Sequence, residues 1–395
     1  MSRISVEFSE TDTRPEAELL LCCARTSMDL ERTERIKVLL QKDIDWGDLL
    51  RLALPHGMMP LLYWHLHTIS PEAVPKDILD RLRDHFCTNT RRNLFLTGEL
   101  LRLLERLEVH GIPAIPLKGP ILAASVYGNL ALRQFCDLDI LVQRKDIPKT
   151  KGLLVSLGYR AQTALTAQQE AASLRSRCES EFVREDGRVR VDIHWELMPK
   201  YFSVPLGPDC LWASRERRFF SGMTVLDLSR ENLLLFLCVH GFKHCWERLD
   251  WLCGAAELIR AHSGMNWERV MRRSDMLGST RMLLVSLHLA NDLLGTALPQ
   301  EVLQRIEVDT VVQSLARKIR GRLFHEAGKP PGVLKTALIH LRGRERLRDR
   351  IRFCYRLALI PNLGDWSFLP LPRPFSFLYY FIRPIRLVGR HVLRL

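Results

Sequence analysis

Two strand-like segments that carry three aspartates constrain this chain more than any other feature. Asp137 and Asp139 lie in residues 136–142, and Asp192 lies in residues 189–195. Side chains alternate between the two faces of a strand, so we expect the first two acids on one face and their aliphatic neighbours in a core. Like charges beside an apolar run repel each other and lose hydration, and a divalent cation removes that penalty. The segments therefore predict a Mg²⁺ or Mn²⁺ site, in which Asp192 is the third oxygen ligand if its strand lies beside the first.

The segment that precedes the acid pair predicts a phosphate-binding turn. Residues 112–117 have the pattern of a short strand, and residues 121–127 have that of a helix with Pro120 in its first turn. Between them, Gly119 lets a ligand approach the backbone closely and Lys118 adds a positive charge. The lysine could instead extend its stem along the helix start, but the adjoining glycine and the acids favour a phosphate ligand.

Three side chains near the acids each have two interpretations. Arg133 either neutralises phosphate charge or holds Asp137 structurally. His194 shares the face of Asp192, so it either contacts the nucleotide or acceptor, or is an ordinary histidine bonded to the backbone. Trp195 is predicted in the core rather than as a platform on which a base stacks.

A helical pattern over residues 233–245 carries further candidates. His240, His244 and Arg248 lie along one helical face. They either line a cleft opposite the metal site or belong to a packed, hydrogen-bonded helix junction.

A set of motifs between residues 117 and 195 follows the pattern of a known family. The motifs are Leu117-Lys118-Gly119, Tyr127, Arg133, Asp137-Leu138-Asp139, Gly158-Tyr159 and Val191-Asp192-Ile193-His194-Trp195. Together they resemble the uncharacterised nucleotidyltransferase family within the DNA polymerase beta-like superfamily. The resemblance continues downstream in His240, His244, Arg248 and Trp251, and in Leu378-Tyr379-Tyr380, Arg383-Pro384 and Arg386-Leu387.

This resemblance implies an α+β fold, with a small mixed sheet and helices as a polymerase-beta-like core, flanked by N-terminal and C-terminal helical regions. It also implies that Asp137 and Asp139 bind two Mg²⁺ ions carrying a nucleoside triphosphate, and that Asp192 completes the site and helps to activate an acceptor hydroxyl. The implied reaction is in-line transfer of a nucleoside monophosphate to an unidentified acceptor, which could be a sugar, a small molecule, a peptide or RNA.

Two other functions remain open from the sequence. The wider superfamily usually has Gly-Ser or Gly-Gly at the phosphate turn, whereas this chain has Lys118-Gly119, so a nucleotide-binding or regulatory module without catalysis is the main alternative. A metal-dependent phosphohydrolase also uses three acids, but the lysine-glycine turn ahead of the pair favours nucleotide handling.

The chain divides into four predicted segments. Its 395 residues exceed one ordinary domain, and 47% apolar content suffices for one or two sizeable cores. Within the second segment, residues 94–109 predict a helix and Asp186-Gly187 predicts the turn of a hairpin. The segments are an N-terminal helical region at 1–93, a catalytic core at 94–218, a C-terminal helical domain at 219–341 and a basic aromatic arm at 342–395.

The composition argues against export and membrane insertion. Residues 1–18 are polar and acidic, so no signal peptide is expected, and the longest uncharged apolar stretches are about half the length of a bilayer-spanning helix. Ten cysteines are scattered without a paired rhythm, which suits reduced thiols in a cytosol. We expect a cytoplasmic protein without a transmembrane segment.

The sequence around the downstream helix offers candidate ligands for a structural zinc site. Its candidate ligands are Cys238, His240, His244, Cys245 and Cys253. Their spacing matches no familiar zinc module, so we favour core cysteines and helix-face histidines.

The positive charge is concentrated at the end of the chain. Of the formal +13, residues 341–395 contain twelve arginines, no lysine and three acids. Leu347, Ile351 and Tyr355 mark one helical face, while Arg348 and Arg352 mark another. Aromatics with arginines suit a polyanion or an anionic membrane, including peripheral contact at its inner face. We favour an arm packed back on the body, because charge runs are usually solvated faces.

Overall fold

The computed structural model of the protein describes residues 14–202, 204, 208–325, 332–369, 371 and 373–391. The start of the N-terminal region, including most of the residues that argue against a signal peptide, lies outside these ranges. The last residues of the basic arm and the side chain of Cys210 also lie outside them. No described helix is both long enough and apolar enough to span a bilayer.

Helices make up most of the described chain. They are α1 (Pro15–Cys23), α2 (Leu30–Leu40), α3 (Trp46–Ala53), α4 (Met59–Ile69), α5 (Lys76–Val109), α6 (Gly119–Ser125), α7 (Ile147–Ser156), α8 (Ala167–Ser176), α9 (Pro208–Ala213), α10 (Arg230–Lys243), α11 (Leu249–Ala261), α12 (Trp267–Leu277), α13 (Thr280–Leu294), α14 (Gln300–Val308), α15 (Thr310–His325), α16 (Val333–Arg342), α17 (Leu347–Leu359), α18 (Leu363–Phe368) and α19 (Tyr379–His391). Short 3₁₀ segments span Pro71–Ala73, Leu130–Leu132, Arg144–Asp146, Lys200–Phe202 and Arg373–Leu378.

A five-stranded mixed sheet and a two-stranded hairpin hold the described strands. They are β1 (Ala114–Pro116), β2 (Leu138–Val142), β3 (Tyr159–Ala161), β4 (Glu179–Arg184), β5 (Arg190–His194), β6 (Arg215–Phe220) and β7 (Met223–Leu228). The larger sheet has the order β1-β2-β5-β4-β3, in which β2 and β5 are parallel and the other neighbours are antiparallel. A small mixed sheet flanked by helices confirms the predicted α+β fold class.

One face of the larger sheet is apolar, as the alternation in β2 predicts. Leu138, Ile140 and Val142 are buried and pack in one cluster with leucines of α5 and α7. Asp139 and Leu141 belong to the opposite face. Leu141 joins a second cluster formed by helices, so the acid-bearing face is covered at one end and carries its carboxylates at the other.

This second cluster unites helices from both ends of the chain. It contains buried residues of α1, α3 and α4 together with residues of α10, α11 and α13. The predicted helical regions 1–93 and 219–341 therefore share one core, although more than a hundred residues of sequence separate them. The segment predicted as a catalytic core packs against both regions, because part of its α6 and β1 also lies in this cluster.

The predicted hairpin at Asp186-Gly187 is confirmed. β4 and β5 pair antiparallel, with Phe182 opposite Val191. Gly187 has φ +72° in the turn, a conformation that costs glycine little. On the next strand pair, the Tyr159 hydroxyl donates to Glu99 Oε1 at 2.5 Å and so ties β3 to α5.

Two predicted boundaries fall inside continuous elements. The helix predicted at 94–109 begins at Lys76, so the boundary at 93/94 lies within α5. Weak helix formers at its centre hid this continuity from the sequence, and tertiary contacts of Asn89 and Asn93 offset their low propensity. The boundary at 218/219 lies within β6 (Arg215–Phe220). This strand was not predicted, because its arginine-rich sequence lacks the apolar alternation that marks a strand.

The basic arm packs against the body over much of its length, as favoured above. Arg344 is buried between the rings of Phe202 and Phe353, with its guanidinium carbon 4.9 Å and 4.0 Å from their centres. Arg383 and Arg386 both bind the buried carboxylate of Asp365, at 2.7 Å and 2.6 Å. Several of the arm's arginines therefore have structural partners.

One apolar face of the arm is nevertheless exposed. Leu347, Ile351 and Tyr355 are 69%, 61% and 61% exposed along α17, and the buried side of that helix is formed by Phe353 and Asp349. The helix is amphipathic as predicted, but the predicted apolar face is turned to solvent.

Candidate active site

The three predicted acids lie together on the open face of the larger sheet. Asp139 on β2 and Asp192 on β5 are direct partners in the parallel register. Asp137 precedes β2 by one residue and lies two positions from Asp139. All three side chains are half-buried. The arrangement arises because β5 returns beside β2 after the β4–β5 hairpin, which brings the acids of two distant segments together.

Burial and the crowding of like charges both disfavour ionisation of the carboxyls on this face. The pKa of Asp137 is raised by burial and then by the charge of Asp139. The pKa of Asp192 is raised to about 7, again by burial first and by Asp139 second. Two carboxyls that resist ionisation beside a third that is ionised indicate a site whose negative charge the neighbouring cations offset only in part.

Asp139 differs from its neighbours because two cations contact it. Although burial alone would raise its pKa, the Lys118 ammonium and a hydrogen bond from His194 hold that pKa well below its usual range. His194 Nε2 donates to Asp139 Oδ1 at 2.9 Å, and Lys118 Nζ lies 3.6 Å from Oδ2. Asp139 is the ionised centre of the acid face.

His194 is held between two carboxylates rather than facing a cleft. Its side chain is 6% exposed, and its Nδ1 lies 3.3 Å from Glu179 Oε2 on the neighbouring strand β4. Burial alone would lower its pKa, but the Asp139 hydrogen bond, Cys178 and the Glu179 charge raise that pKa well above its ordinary value. Both ring nitrogens of His194 face carboxylate oxygens. The predicted contact of this histidine with a nucleotide stays a prediction.

Lys118 and Gly119 occupy the turn between β1 and α6. Gly119 has φ +54°, a left-handed conformation that favours glycine. The Lys118 ammonium donates to His240 Nε2 at 3.2 Å and lies 5.3 Å from the centre of the Phe236 ring. The lysine is therefore part of the wall between the acid face and α10, where it is close to Asp139.

Arg133 is a buried cation without a committed anion. The residue is 7% exposed, and within the described chain its Nε and Nη1 have no hydrogen-bond partner. Its charge lowers the pKa of both Asp137 and Asp139, so it lies close to the acids without an ion pair to either. A buried guanidinium with free donors suits an oxyanion ligand such as phosphate.

Two asparagines that the sequence analysis missed fix the backbone at this arginine. Asn93 Nδ2 donates to the carbonyl oxygens of Arg133 and Leu130 at 2.7 Å and 2.6 Å. Asn89 Nδ2 donates to those of Ala131 and Arg133 at 3.0 Å and 3.3 Å. The signal was available, since two asparagines four residues apart interrupt a helix that is otherwise strongly periodic.

The downstream candidates meet around the ring of Trp251. The rings of His240 and His244 contact each other and Trp251 in tilted or edge-to-face arrangements, with ring centres 4.7–5.4 Å apart. Burial and nearby cations hold both histidine pKa values below the ordinary range, that of His244 at about 3. Arg248 pairs with Asp250 at 2.9 Å, and its guanidinium carbon lies 5.8 Å from the centre of the Trp251 ring, so its predicted place along the cleft stays a prediction.

No metal-ligand cluster forms among the described cysteines and histidines considered for a structural zinc site. Cys253 donates to the Ala24 carbonyl, and Cys238 is buried in the helical cluster. Among the described residues, Cys178, Glu179 and His194 do form a group of possible metal ligands, with their ligand atoms all within 4.8 Å of one another. The three aspartates are more widely spread than this.

The aspartates nevertheless fit a hard divalent cation in kind. They offer carboxylate oxygens on one face, and their mutual repulsion is incompletely neutralised by Lys118 and Arg133. Oxygen donors and several open positions are what Mg²⁺ selects when it also binds phosphates.

A cavity of about 600 Å³ begins at the edge of this site. Cys178 and Glu179 at the start of β4 form one side, and Lys243 and His244 at the end of α10 form another. α16, which includes His340, and α17 to α19 of the basic arm close it. Glu179 thus contacts His194 on one side and the cavity on the other.

Comparison with known proteins gave one match. The sequence pattern of a family described as uncharacterised nucleotidyltransferase matches residues 42–295. Significant similarity was found neither to a curated protein nor to a solved structure. The match begins after α2 and ends just after α13, so it includes the acid face and part of each helical region that packs around it.

Proposed function

Because this chain belongs to the uncharacterised nucleotidyltransferase family, we propose that it transfers a nucleoside monophosphate from a nucleoside triphosphate to a hydroxyl acceptor. The observation that supports this reaction is a face with three clustered aspartates beside a buried, uncommitted arginine. An acid cluster and a free guanidinium at one place suit a metal-bound polyphosphate better than either feature does alone.

Asp137, Asp139 and Asp192 would hold the metal, Mg²⁺ or Mn²⁺. When bound, the metal supplies Lewis-acid stabilisation of the α-phosphate and of the leaving pyrophosphate. His194 keeps Asp139 ionised and oriented through its 2.9 Å hydrogen bond. Its role here is to position a carboxylate, which differs from the direct nucleotide contact that the sequence suggested.

Arg133 and Lys118 would bind the phosphates. The free Nε and Nη1 of Arg133 can each donate a hydrogen bond to a phosphate oxygen. Lys118 contributes its charge at the Gly119 turn, where it already lies 3.6 Å from Asp139. Both cations are preorganised by the fold, so little reorganisation is needed when charge develops in the transition state.

The transfer itself exchanges one P–O bond for another. The acceptor oxygen forms a bond to the α-phosphorus as the bond from that phosphorus to the pyrophosphate oxygen breaks, and the acceptor proton leaves. Asp192 is the proposed proton acceptor because it lies on the strand nearest Glu179 and the cavity. Positioning and electrostatics provide most of the catalysis in such reactions.

The cavity beside Glu179 is the proposed acceptor site. Its volume of about 600 Å³ lies within the range of small-molecule sites, which favours a sugar or another small hydroxyl compound over a folded RNA. Its wall combines apolar residues with polar ones, which include Lys243, His244 and three arginines.

We also propose a cytoplasmic location, with peripheral contact between the arm and anionic lipid. The exposed stripe of Leu347, Ile351 and Tyr355 lies beside Arg348 and Arg352, which are 67% and 46% exposed. Apolar side chains flanked by arginines bind the interface of an anionic bilayer. Sedimentation with neutral and with anionic vesicles tests the contact, and Ile351→Glu should abolish any binding that depends on this stripe.

The reaction is tested in two stages. Thermal unfolding with ATP, CTP, GTP or UTP, with and without Mg²⁺, should reveal metal-dependent stabilisation, about 2.7 kcal/mol at a hundredfold excess over the dissociation constant. α-Labelled triphosphate is then incubated with the protein and a cell extract, and the labelled product is identified.

Asp137→Asn should remove both effects, whereas Asp84→Asn, which changes an exposed carboxylate of α5, should remove neither. Stabilisation without a labelled product favours the catalytically inactive nucleotide-binding module. Phosphate release without a labelled acceptor favours a phosphohydrolase. Labelling that survives Asp137→Asn contradicts the site.

A further inference from the structure

The start of β4 and the end of β5 bring together three side chains that bind transition metals. The Cys178 Sγ lies 3.6 Å from Glu179 Oε2, and His194 Nδ1 lies 3.3 Å from the same oxygen. All three ligand atoms lie within 4.8 Å of one another. We propose that Cys178, Glu179 and His194 form a zinc site, distinct from the site of the three aspartates.

The distances between these atoms match the edges of a zinc tetrahedron. With bonds of about 2.3 Å to sulfur and about 2.0 Å to nitrogen and oxygen, neighbouring ligands of tetrahedral Zn²⁺ are about 3.3–3.6 Å apart. The two measured separations are 3.3 Å and 3.6 Å. A small ion therefore fits among the three atoms with little movement of the backbone.

His194 supplies the independent sign that an ion belongs here. Its side chain is 6% exposed, and its Nδ1 faces Glu179 Oε2 at 3.3 Å in an ion pair that lacks the geometry of a hydrogen bond. The other ring nitrogen donates to Asp139 at 2.9 Å. A histidine that binds zinc through one nitrogen typically donates the other N–H to a carboxylate, which orients the ring.

The donor set separates this site from the aspartates in its choice of metal. A thiolate, an imidazole and a carboxylate suit zinc, whereas three carboxylates suit Mg²⁺. Three protein ligands leave a fourth position, and Cys178 and Glu179 both line the cavity of about 600 Å³. An open position of this kind is typical of zinc sites that contact a ligand or water rather than of closed structural sites.

Lys243 is the one cation that faces this group from α10. Its charge lowers the pKa of both Cys178 and Glu179, so it acts as their counter-charge when no ion is bound. Its side chain also lines the cavity, which gives the ammonium room to turn away from a bound cation. Binding would release the thiol proton of Cys178 and the Nδ1 proton of His194, since both ligand atoms must be deprotonated, while Nε2 keeps its proton for Asp139.

The test is zinc binding by the full chain without any nucleotide. The purified protein is given one equivalent of Zn²⁺ in metal-free buffer with excess Mg²⁺, passed through a desalting column and analysed for zinc. We expect retention of about one ion per chain, and an affinity at least about 100-fold lower in Cys178→Ser. Cys354→Ser and Cys87→Ser change exposed thiols and should bind zinc like the wild type.

Cobalt provides a second readout that does not depend on affinity. Co²⁺ in the wild type and in Cys354→Ser should show a thiolate charge-transfer absorption that Cys178→Ser lacks. Thermal unfolding of zinc-free Cys178→Ser checks that the variant folds, and zinc should raise the melting temperature of the wild type and of Cys354→Ser but not that of Cys178→Ser.

Failure of zinc to bind, or equal binding by wild type and Cys178→Ser, would overturn the proposal. Neither result bears on nucleotidyl transfer, because no step of this experiment uses a triphosphate.

Discussion

The open face of the larger sheet holds two donor groups that differ in kind. The aspartates at 137, 139 and 192 are half-buried, uniform in chemistry and surrounded by cations with spare hydrogen-bonding capacity. The group formed by Cys178, Glu179 and His194 is more compact and mixed in chemistry. One sheet face can therefore carry two kinds of site. Widely spaced carboxylates suit a metal that binds together with its substrate, and a compact group of mixed ligands suits an ion that stays bound.

A single hydrogen bond joins the two groups. His194 belongs to the compact group, and its bond to Asp139 carries any change of ring orientation into the acid face. Asp139 is thus the only one of the three acids expected to affect both sites.

The largest effect on activity should come from substituting each of the three aspartates in turn. Asp137→Asn and Asp192→Asn should each lower the yield of labelled acceptor more than about 100-fold, since loss of a direct metal ligand exceeds loss of a supporting residue. Both should retain zinc. Asp139→Asn should match their loss and also weaken zinc binding by about 10- to 100-fold, through the lost hydrogen bond to His194.

Labelling assays and zinc titrations on the same preparations measure this pattern. If Asp137→Asn loses zinc to the same degree as Asp139→Asn, the two donor groups are one site and the comparison fails.

The next effect concerns the uncommitted cation beside the acids. Arg133→Ala should weaken Mg²⁺-dependent triphosphate binding by at least about tenfold, because hydrogen bonds between charged groups contribute about 1.5–3 kcal/mol. Zinc affinity should not change, since the arginine donates to no atom of that group. Thermal-shift titration gives the dissociation constant, and Arg91→Ala, an exposed arginine of α5, is the matched control. Unchanged triphosphate affinity in Arg133→Ala would remove the arginine from the phosphate site.

The next prediction concerns Arg344, which supports the wall of the cavity beside Cys178, Glu179 and His194. Arg344→Met removes the donor to the carbonyls of His340 and Phe202, leaving buried acceptors unsatisfied at a cost of about 1–3 kcal/mol. Chemical denaturation measures that loss. We expect weaker acceptor labelling with triphosphate binding retained, because the arm lines only the cavity. Arg348→Met, at an exposed position of α17, should leave both stability and labelling unchanged.

The smallest effect is expected at the phosphate turn. Gly119→Ala places a side chain at φ +54°, which costs about 1–2 kcal/mol in backbone conformation, while the nearest atom to the added carbon, the Asp137 carbonyl oxygen, is at an ordinary 3.6 Å. Gly152→Ala in α7 has open space around it and should instead stabilise the protein by about 0.5–1 kcal/mol. Thermal unfolding should give opposite signs. A stabilising Gly119→Ala would show that the turn is not held in this conformation.

Local patterns of sequence predicted much of the scaffold. The alternation of Leu138, Ile140 and Val142 with acids placed β2 correctly, and Asp186-Gly187 marked the hairpin that follows. These succeed because strand faces and tight turns depend on neighbouring residues. Where local propensity was weak, as at the centre of α5 and in arginine-rich β6, the elements were missed or begun too late.

The candidate site was predictable only in part. The acids, Lys118 and Arg133 were visible as residue types suited to a metal and a polyphosphate. The zinc ligands were not, because Glu179 meets His194 only through the register of β4 on β5. The zinc ligands considered from the sequence were instead cysteines and histidines in and around α10 and α11. Helical packing keeps those side chains apart, so they form no metal-ligand cluster among the described residues.

The sequence by itself determined the alternating strands, the acidic pair, the hairpin and the family to which the chain belongs. Only the tertiary structure decided that the two helical ends share one core, that Asp139 is paired while Arg133 is not, and that a cysteine, a glutamate and a histidine converge beside a cavity. The reason is physical: backbone geometry fixes which residues share a face within one segment, whereas the distance between side chains of different segments is set by strand register and packing.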